Sequence, residues 1–126
     1  MAVIAKVAVQ AAPYAIDKVY DYLLPQDMAA QVGCRVAPYF LHQAENFDVD
    51  EGFLPFLEAK KPEVVFLCTP NNPTGRLLPL PLLEQILQGC AAWGARVFLD
   101  ECFLDFTEDG VSAKSLLTAH PELLIL

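Results

Sequence analysis

Apolar residues alternate with other residues at the start of the chain. Every second position there is apolar, at Val3, Ala5, Val7 and Val9. This period of two, together with the β-branched content, favours a strand. Further short strands are predicted at residues 18–24 and 32–36, with turn-forming residues between them. The spacing is typical of small antiparallel β structure and predicts a short β-rich segment over residues 1–36.

The pattern changes from residue 63 onward. Unbroken apolar runs predict strands at 63–69 and 96–101, each covered on both faces. Between them, apolar residues recur at helical spacing and predict a helix over 81–93, with prolines at its start and Gly94 at its end. Strand, crossover helix and strand form a βαβ unit, so we expect the two strands to be adjacent and parallel, with a right-handed connection.

Three shorter elements complete the predicted fold. Apolar spacing predicts a helix near residues 53–58, with Pro55 in its first turn, and a further short helix that begins at Ser115. Residues 123–126 form a predicted third core strand. The expected fold class is α/β, an incomplete three-layer fold with a parallel βαβ unit, preceded by the short β-rich segment. Unpaired sheet edges in such a fold predict a homo-oligomer or aggregation.

The chain of 126 residues has a formal net charge of −8, and this charge is unevenly distributed. Residues 1–36 have three basic and three acidic side chains, whereas residues 37–126 have five basic and thirteen acidic ones. Such a chain lacks the basic surface that binds a phosphate backbone, so its charge disfavours nucleic acid as a partner. The sequence shows neither an apolar run as long as a membrane span nor a secretory signal, so we expect a cytoplasmic protein without a membrane partner.

The cysteines and histidines form no recognisable motif. Four cysteines stand far apart, without the paired spacing of metal ligands, at Cys34, Cys68, Cys90 and Cys102. We expect buried free thiols and no metal site. We also expect His42 and His120 to lie in loops, with no acid or nucleophile at a usable spacing.

Polar side chains follow both strands of the predicted βαβ unit. Asn72 lies in the run NNPTG after the first strand, and Asp100 lies in the second. Open α/β sheets bind ligands at the carboxyl ends of their strands. A carboxylate there can pair with a protonated ring nitrogen, and a nearby amide can donate to a phenolic oxygen, a geometry that suits pyridoxal phosphate. The alternatives are an ordinary turn for NNPTG, and a helix cap or a solvent-exposed strand end for Asp100.

Three strings carry a family resemblance, namely YFLHQAENFDVDE, FLCTPNNPTG and VFLDECFLDF. With them, residues from about Gly33 to Leu126 resemble the middle of the large domain of fold-type I pyridoxal-phosphate enzymes, in the branch of histidinol-phosphate aminotransferase and threonine-phosphate decarboxylase. The resemblance implies that Asn72 contacts the phenolic oxygen of the cofactor and that Asp100 keeps its pyridine nitrogen protonated. It also implies a small phosphorylated amino-acid substrate and a cis peptide bond before Pro73.

Phe103 bears on which enzyme of that branch the chain resembles more. Aminotransferases often have Tyr three residues after the aspartate, and here the residue is Phe103. We therefore include Phe103 among the predicted cofactor-binding residues, although it cannot donate a hydrogen bond to the phenolic oxygen. The string DECFLDF is closer to the decarboxylase of cobalamin side-chain synthesis, a lyase, than to an aminotransferase.

The Schiff-base lysine of that family follows the strand that here is residues 123–126, and the chain ends before it. Lys114 falls in a predicted loop, and Lys60 and Lys61 precede the first strand of the βαβ unit, so none of them replaces it. We therefore name no catalytic residue. We expect weak or no retention of the cofactor and no turnover by this chain alone.

The first 36 residues resemble a different family. The string KVAVQAAPYAIDKVYDYLLP is similar to the start of the primosomal replication-restart helicase, whose N-terminal β domain binds a DNA 3′ end. That resemblance implies that Asp21 contacts the terminal nucleotide, and the alternative is an ordinary β-hairpin. The tetrapeptide GCRV fits both families, so we hypothesise a chimera of a helicase-like segment, residues 1–36, and a partial pyridoxal-phosphate domain, residues 37–126. DNA 3′-end binding is the alternative function.

Overall fold

The computed structural model describes residues 9–11, 35 and 37–126. Its strands and α-helices follow in chain order as β1 (Val9–Ala11), β2 (Tyr39–Leu41), α1 (Phe53–Lys60), β3 (Val64–Cys68), α2 (Leu80–Ala92), β4 (Arg96–Asp100) and β5 (Leu123–Ile125). Short 3-10 helices connect some of them, at Gln43–Glu45, Leu104–Phe106 and Ala113–Leu116.

A parallel three-stranded sheet with the order β3-β4-β5 forms the centre of the fold. Strand β3 pairs with β4 in parallel from Val64 opposite Arg96 to Cys68 opposite Asp100, and β5 pairs in parallel with the other edge of β4. Helix α2 connects β3 to β4. The predicted βαβ unit and third strand are therefore confirmed.

The core lies on one face of this sheet. Alternate side chains of the strands pack there against the apolar stripes of α1 and α2, and the large members of this core are Val65, Leu67, Val97, Leu99, Phe53, Leu57, Leu83, Ile86 and Leu87. On the opposite face, Phe66 and Phe98 are half-buried and stack with ring centroids 5.0 Å apart. The second face is thus partly covered, whereas the first is fully buried.

Local sequence explains where both helices begin and end. Pro55 occupies the first turn of α1, where its missing N–H costs no helical hydrogen bond. Helix α2 follows Pro79 and ends before Gly94, whose φ of +78° is a left-handed conformation that glycine adopts without steric cost. The indole Nε1 of Trp93 donates to Pro62 O at 3.0 Å and joins the end of α2 to the start of β3.

Strand β2 packs against α1 through an aromatic cluster of Tyr39, Phe53 and Phe56. The Tyr39 ring contacts the edge of Phe53 at a centroid distance of 4.9 Å, and its hydroxyl donates to Asp50 Oδ1. Burial, and secondly the hydrogen bond to Asp50, raises the pKa of Tyr39 to about 12. The aromatic cluster and the hydrogen bond to Asp50 together position the segment that leads from β2 into α1.

The N-terminal prediction is only partly tested by the described residues. Strand β1 pairs with β2 in parallel, so the expectation of antiparallel structure is wrong for this strand. The predicted strand at 18–24 lies outside the described residues, and so does 32–36 except for Arg35, which has no regular secondary structure. The helix expected to begin at Ser115 is instead a 3-10 helix that begins at Ala113. No helix in the described part of the chain has the length and hydropathy of a membrane span.

Two expectations about reactive side chains need correction. Cys90 is buried as predicted, but Cys68 is half-buried and Cys102 is exposed, and all three are free thiols. His120 is buried, and its Nδ1 lies 2.9 Å from Glu122 Oε1, so the expectation of no usable acid near it is wrong. The tight turn at Pro121 brings the two side chains together. Among the described residues, no cluster of three or more His, Cys, Asp or Glu could hold a metal ion.

Candidate functional site

The two predicted site segments meet at the carboxyl ends of β3 and β4. Cys68 and Asp100, the last residues of these strands, are partners in the parallel register. The pairing continues one residue further, since Thr69 N donates to Asp100 O at 2.9 Å. The NNPTG turn after β3 therefore begins two residues after a backbone contact with Asp100.

Internal hydrogen bonds hold the NNPTG turn, which is residues 71–75. Gly75 N donates to Asn71 O and Asn71 N donates to Arg76 O, both at 2.7 Å. The Asn71 side-chain amide donates to Thr74 Oγ1 at 2.8 Å. Gly75 has a φ of +69°, which favours glycine at this position. The predicted cis peptide bond between Asn72 and Pro73 is confirmed, and the Thr69–Pro70 bond is cis as well.

The two asparagines of the turn have different tasks. Asn71 is 8% exposed and its side chain closes the turn, whereas Asn72 is exposed. The Asn72 side-chain amide makes no hydrogen bond to another described residue, so it is free to donate to a ligand. The contact between Asn72 and a bound ring stays a prediction.

Asp100 is half-buried and its carboxylate is oriented by the backbone. Its Oδ1 accepts a hydrogen bond from Cys102 N at 2.9 Å, which fixes the side chain in a turn at the end of β4. Hydrogen bonding to this carboxylate is also the main cause that raises the pKa of the Cys102 thiol. Asp100 is thus a strand-end carboxylate that its own turn presents at the edge of the sheet.

Cys68 is the register partner of Asp100, and its thiol donates to Pro70 O at 3.2 Å. Burial raises the pKa of its thiol, and the negative charge of Asp100 raises it further. The backbone N–H of Asn72 acts in the opposite direction, because it donates towards the sulfur. The parallel pairing of β3 with β4 puts the segments that carry Asn72 and Asp100 at the same edge of the sheet.

Phe103 lies in the turn that follows Asp100. Its side chain is 43% exposed, and its ring centroid is 6.2 Å from that of Phe106, which is 84% exposed. The position leaves an apolar ring near the strand end and no hydroxyl. Asp21, the residue predicted to contact DNA in the alternative function, lies outside the described residues.

Glu101 makes contacts next to the site that the sequence prediction missed. Its two carboxylate oxygens accept hydrogen bonds at 2.7 Å, one from Ser112 Oγ and the other from Ala113 N. These contacts attach the loop before β5 to the end of β4. The sequence shows the acidic pair Asp100-Glu101 at the strand end. It does not show that Glu101 meets partners eleven and twelve residues further along the chain.

The residues at this edge fit the ring of pyridoxal phosphate. A half-buried carboxylate suits a protonated pyridine nitrogen, and an exposed amide suits the phenolic oxygen. They do not supply the lysine that holds this cofactor covalently. Lys60, Lys61 and Lys114 are all exposed, and each lies outside the two segments that form the edge.

The sequence and the fold have relatives of known type. Threonine-phosphate decarboxylase from Salmonella typhimurium is 35% identical over 99 residues, a match that covers 77% of this chain and 26% of that protein. Histidinol-phosphate aminotransferase from Ruminiclostridium cellulolyticum is 30% identical over 102 residues, covering 80% of this chain and 27% of that protein. The chain spans about a quarter of the length of these relatives.

A solved structure described as a decarboxylase from Sulfurospirillum multivorans has the same fold. It aligns with a TM-score of 0.72 at 27% identity over 95% of this chain and 33% of that chain.

The division of the chain at residue 36, and with it the hypothesis of a chimera, stays a prediction. Residues 22–126 match the family model of aminotransferase class I and II. The chain therefore belongs to the aminotransferase class I and II family.

Proposed function

We propose that the edge formed by Asn72 and Asp100 binds the pyridine ring of pyridoxal phosphate. The observation that supports this most is the pairing of Cys68 with Asp100, because it places the NNPTG turn beside the carboxylate. Both segments belong to the part of the chain that matches the family.

Each residue has a distinct task in this proposal. Asp100 accepts a hydrogen bond from the ring nitrogen and holds the proton on that atom, since a carboxylate stabilises the charged form. Asn72 donates to the phenolic oxygen and sets the rotation of the ring. Pyridoxal phosphate, when bound, supplies a ring that withdraws electron density from a bond to the substrate's α-carbon.

We further propose that the substrate is a small phosphorylated amino acid and that the reaction is a decarboxylation. Two relatives are named for phosphorylated compounds, one as threonine-phosphate decarboxylase and the other as histidinol-phosphate aminotransferase. Phe103 supports the first reaction, because its ring offers no donor to the phenolic oxygen. Transamination is the second candidate, supported by the 30% identity to the aminotransferase.

In this proposal the NNPTG turn and the end of β4 supply contacts to the ring, and neither segment contains a lysine for a Schiff base. Two polar contacts at an open strand end must offset the cost of ordering the ligand, so we expect weak binding of the cofactor and no turnover by this chain alone.

Absorbance titration with pyridoxal phosphate tests this proposal. We expect weak binding that Asp100→Ala removes, no saturable absorbance of a covalently linked cofactor, and no release of carbon dioxide from threonine phosphate. Wild-type binding that persists unchanged in Asp100→Ala would refute the site. Stoichiometric modification of Lys114 alone, or turnover, would refute the expected inactivity.

A further inference from the structure

An ion pair outside the proposed ring contacts attaches the NNPTG turn to a distant loop. Arg76 follows the turn directly, and its Nε and Nη2 donate to Asp48 Oδ1 and Oδ2 at 2.6 and 2.7 Å. The two residues are 28 positions apart in the chain. Such a two-point contact between a planar guanidinium and a carboxylate fixes direction as well as distance.

A third contact extends this ion pair. With the Asn46 side-chain amide in the orientation that satisfies its neighbours, its oxygen accepts from both Arg76 Nη1 and Nη2 at 3.2 Å. The Arg76 guanidinium also holds the pKa of the Asp48 carboxyl below its usual range. Arg76 thus contacts two side chains of the loop that joins β2 to α1.

The backbone of that loop has an uncommon shape. Asn46 and Phe47 are consecutive residues other than glycine with positive φ, at 55° and 58°. Such conformations persist where surrounding contacts determine them, and here they bring Asp48 towards Arg76. Phe47 and Arg76 also line one small pocket together with Cys68 and Asn71. The loop and the turn are therefore in contact above the end of β3.

We propose that Arg76 is a positioning residue for the cofactor ring: its ion pair with Asp48 holds the NNPTG turn in the shape that presents Asn72. The turn depends on Arg76 in two ways. The Arg76 carbonyl accepts the Asn71 N–H, and the Arg76 side chain attaches that same residue to the loop. Losing the ion pair frees the C-terminal end of the turn, so Asn72 samples more orientations and the ring loses a pre-oriented donor.

The inference rests on the proposed function for the identity of the ligand, whereas the ordering of the turn by Arg76 does not depend on a ligand. The side chains of Arg76 and Asp48 are 42% and 43% exposed, and exposed pairs contribute little to global stability. The ion pair should therefore act on local order and ligand affinity rather than on the unfolding midpoint. That separation makes a positioning role distinguishable from a purely structural one.

The experiment uses Arg76→Gln, Asp48→Asn and the charge-reversed pair Asp48→Arg with Arg76→Asp in the full chain. Arg96→Gln is the matched control, because within the described part of the chain the Arg96 side chain makes one hydrogen bond, to Pro121 O, and no ion pair. Amide hydrogen exchange at Asn71 and Gly75 reports the turn without any ligand. Titration with pyridoxine 5′-phosphate, which lacks the aldehyde and forms no lysine adducts, reports affinity.

We expect each single variant to raise exchange at these amides by about tenfold and to weaken binding by about fivefold, a loss typical of one oriented contact. The unfolding midpoint and the Arg96→Gln control should not change, and the charge-reversed pair should recover part of both effects. Exchange and affinity that remain wild-type in both single variants would overturn the inference, as would a charge-reversed pair no better than either. Altered exchange with no ligand binding even in the wild-type chain would support the positioning of the turn and count against the proposed function.

Discussion

Thr69 closes the base of the loop that carries Asn72. Its Oγ1 accepts a hydrogen bond from Leu78 N at 2.9 Å, across the whole of the turn. Thr69 and Leu78 are buried, at 5% and 8% exposure. The substitution Thr69→Val keeps the shape of the side chain and removes the acceptor, so the Leu78 amide becomes a buried donor without a partner.

A buried donor that loses its partner costs about 1–3 kcal/mol. With a urea m value of about 1.5 kcal/mol per M for a small protein, the unfolding midpoint should fall by about 0.7–2 M. The control Thr69→Ser keeps the hydroxyl and removes one methyl group, at a cost of about 0.8 kcal/mol. Urea unfolding followed by far-UV circular dichroism measures both variants. A wild-type midpoint for Thr69→Val, or equal losses in the two variants, would refute the role of this hydrogen bond.

Three further predictions concern single side chains. In a spectrophotometric titration, the difference between the wild-type chain and Tyr39→Phe should give a midpoint near pH 12. The raised pKa favours the neutral phenol in the folded chain, so the stabilisation by neutral Tyr39 is complete below pH 10 and is lost as the pH rises through 12. A midpoint at pH 10 would contradict the burial of this ring. After iodoacetamide treatment, peptide mapping should show Cys102 modified in the native chain and Cys90 modified only after unfolding. Burial excludes the reagent from Cys90 and raises the pKa of its thiol to about 12. Equal labelling of the two cysteines in the native chain would contradict this. Trp93→Phe should lower the free energy of unfolding by about 1 kcal/mol, because Pro62 O loses its donor, and an unchanged urea midpoint would speak against that contact.

The central βαβ unit was predictable because its signals are local. Apolar runs, helical spacing and the glycine after α2 each act within a few residues, and the observed strands lie within one residue of the predicted bounds. The placement of the NNPTG turn and Asp100 at one edge of the sheet was predictable for the same reason, since parallel pairing brings the carboxyl ends of adjacent strands together.

The missed features depend on contacts between distant residues or on the direction of a side chain. Nothing in the sequence joins Asp48 to Arg76 across 28 positions, and only the folded loop aligns their charges. His120 and Glu122 are close in the chain, but the turn between them decides that the side chains meet. The exposure of Cys102 was missed because its burial depends on the turn after β4 and not on residue type.

The role of Asp100 can be measured through the protonation state of a bound ring. Nitrogen-15 NMR of ring-labelled pyridoxine 5′-phosphate distinguishes a protonated from an unprotonated pyridine nitrogen. At a pH where the free ligand has lost its ring proton, we expect the ligand bound to the wild-type chain to keep it, because Asp100 stabilises the charged form. With Asp100→Asn the proton should be lost. An unprotonated ring in the wild-type complex, or the same signal with Asp100→Asn, would contradict the account.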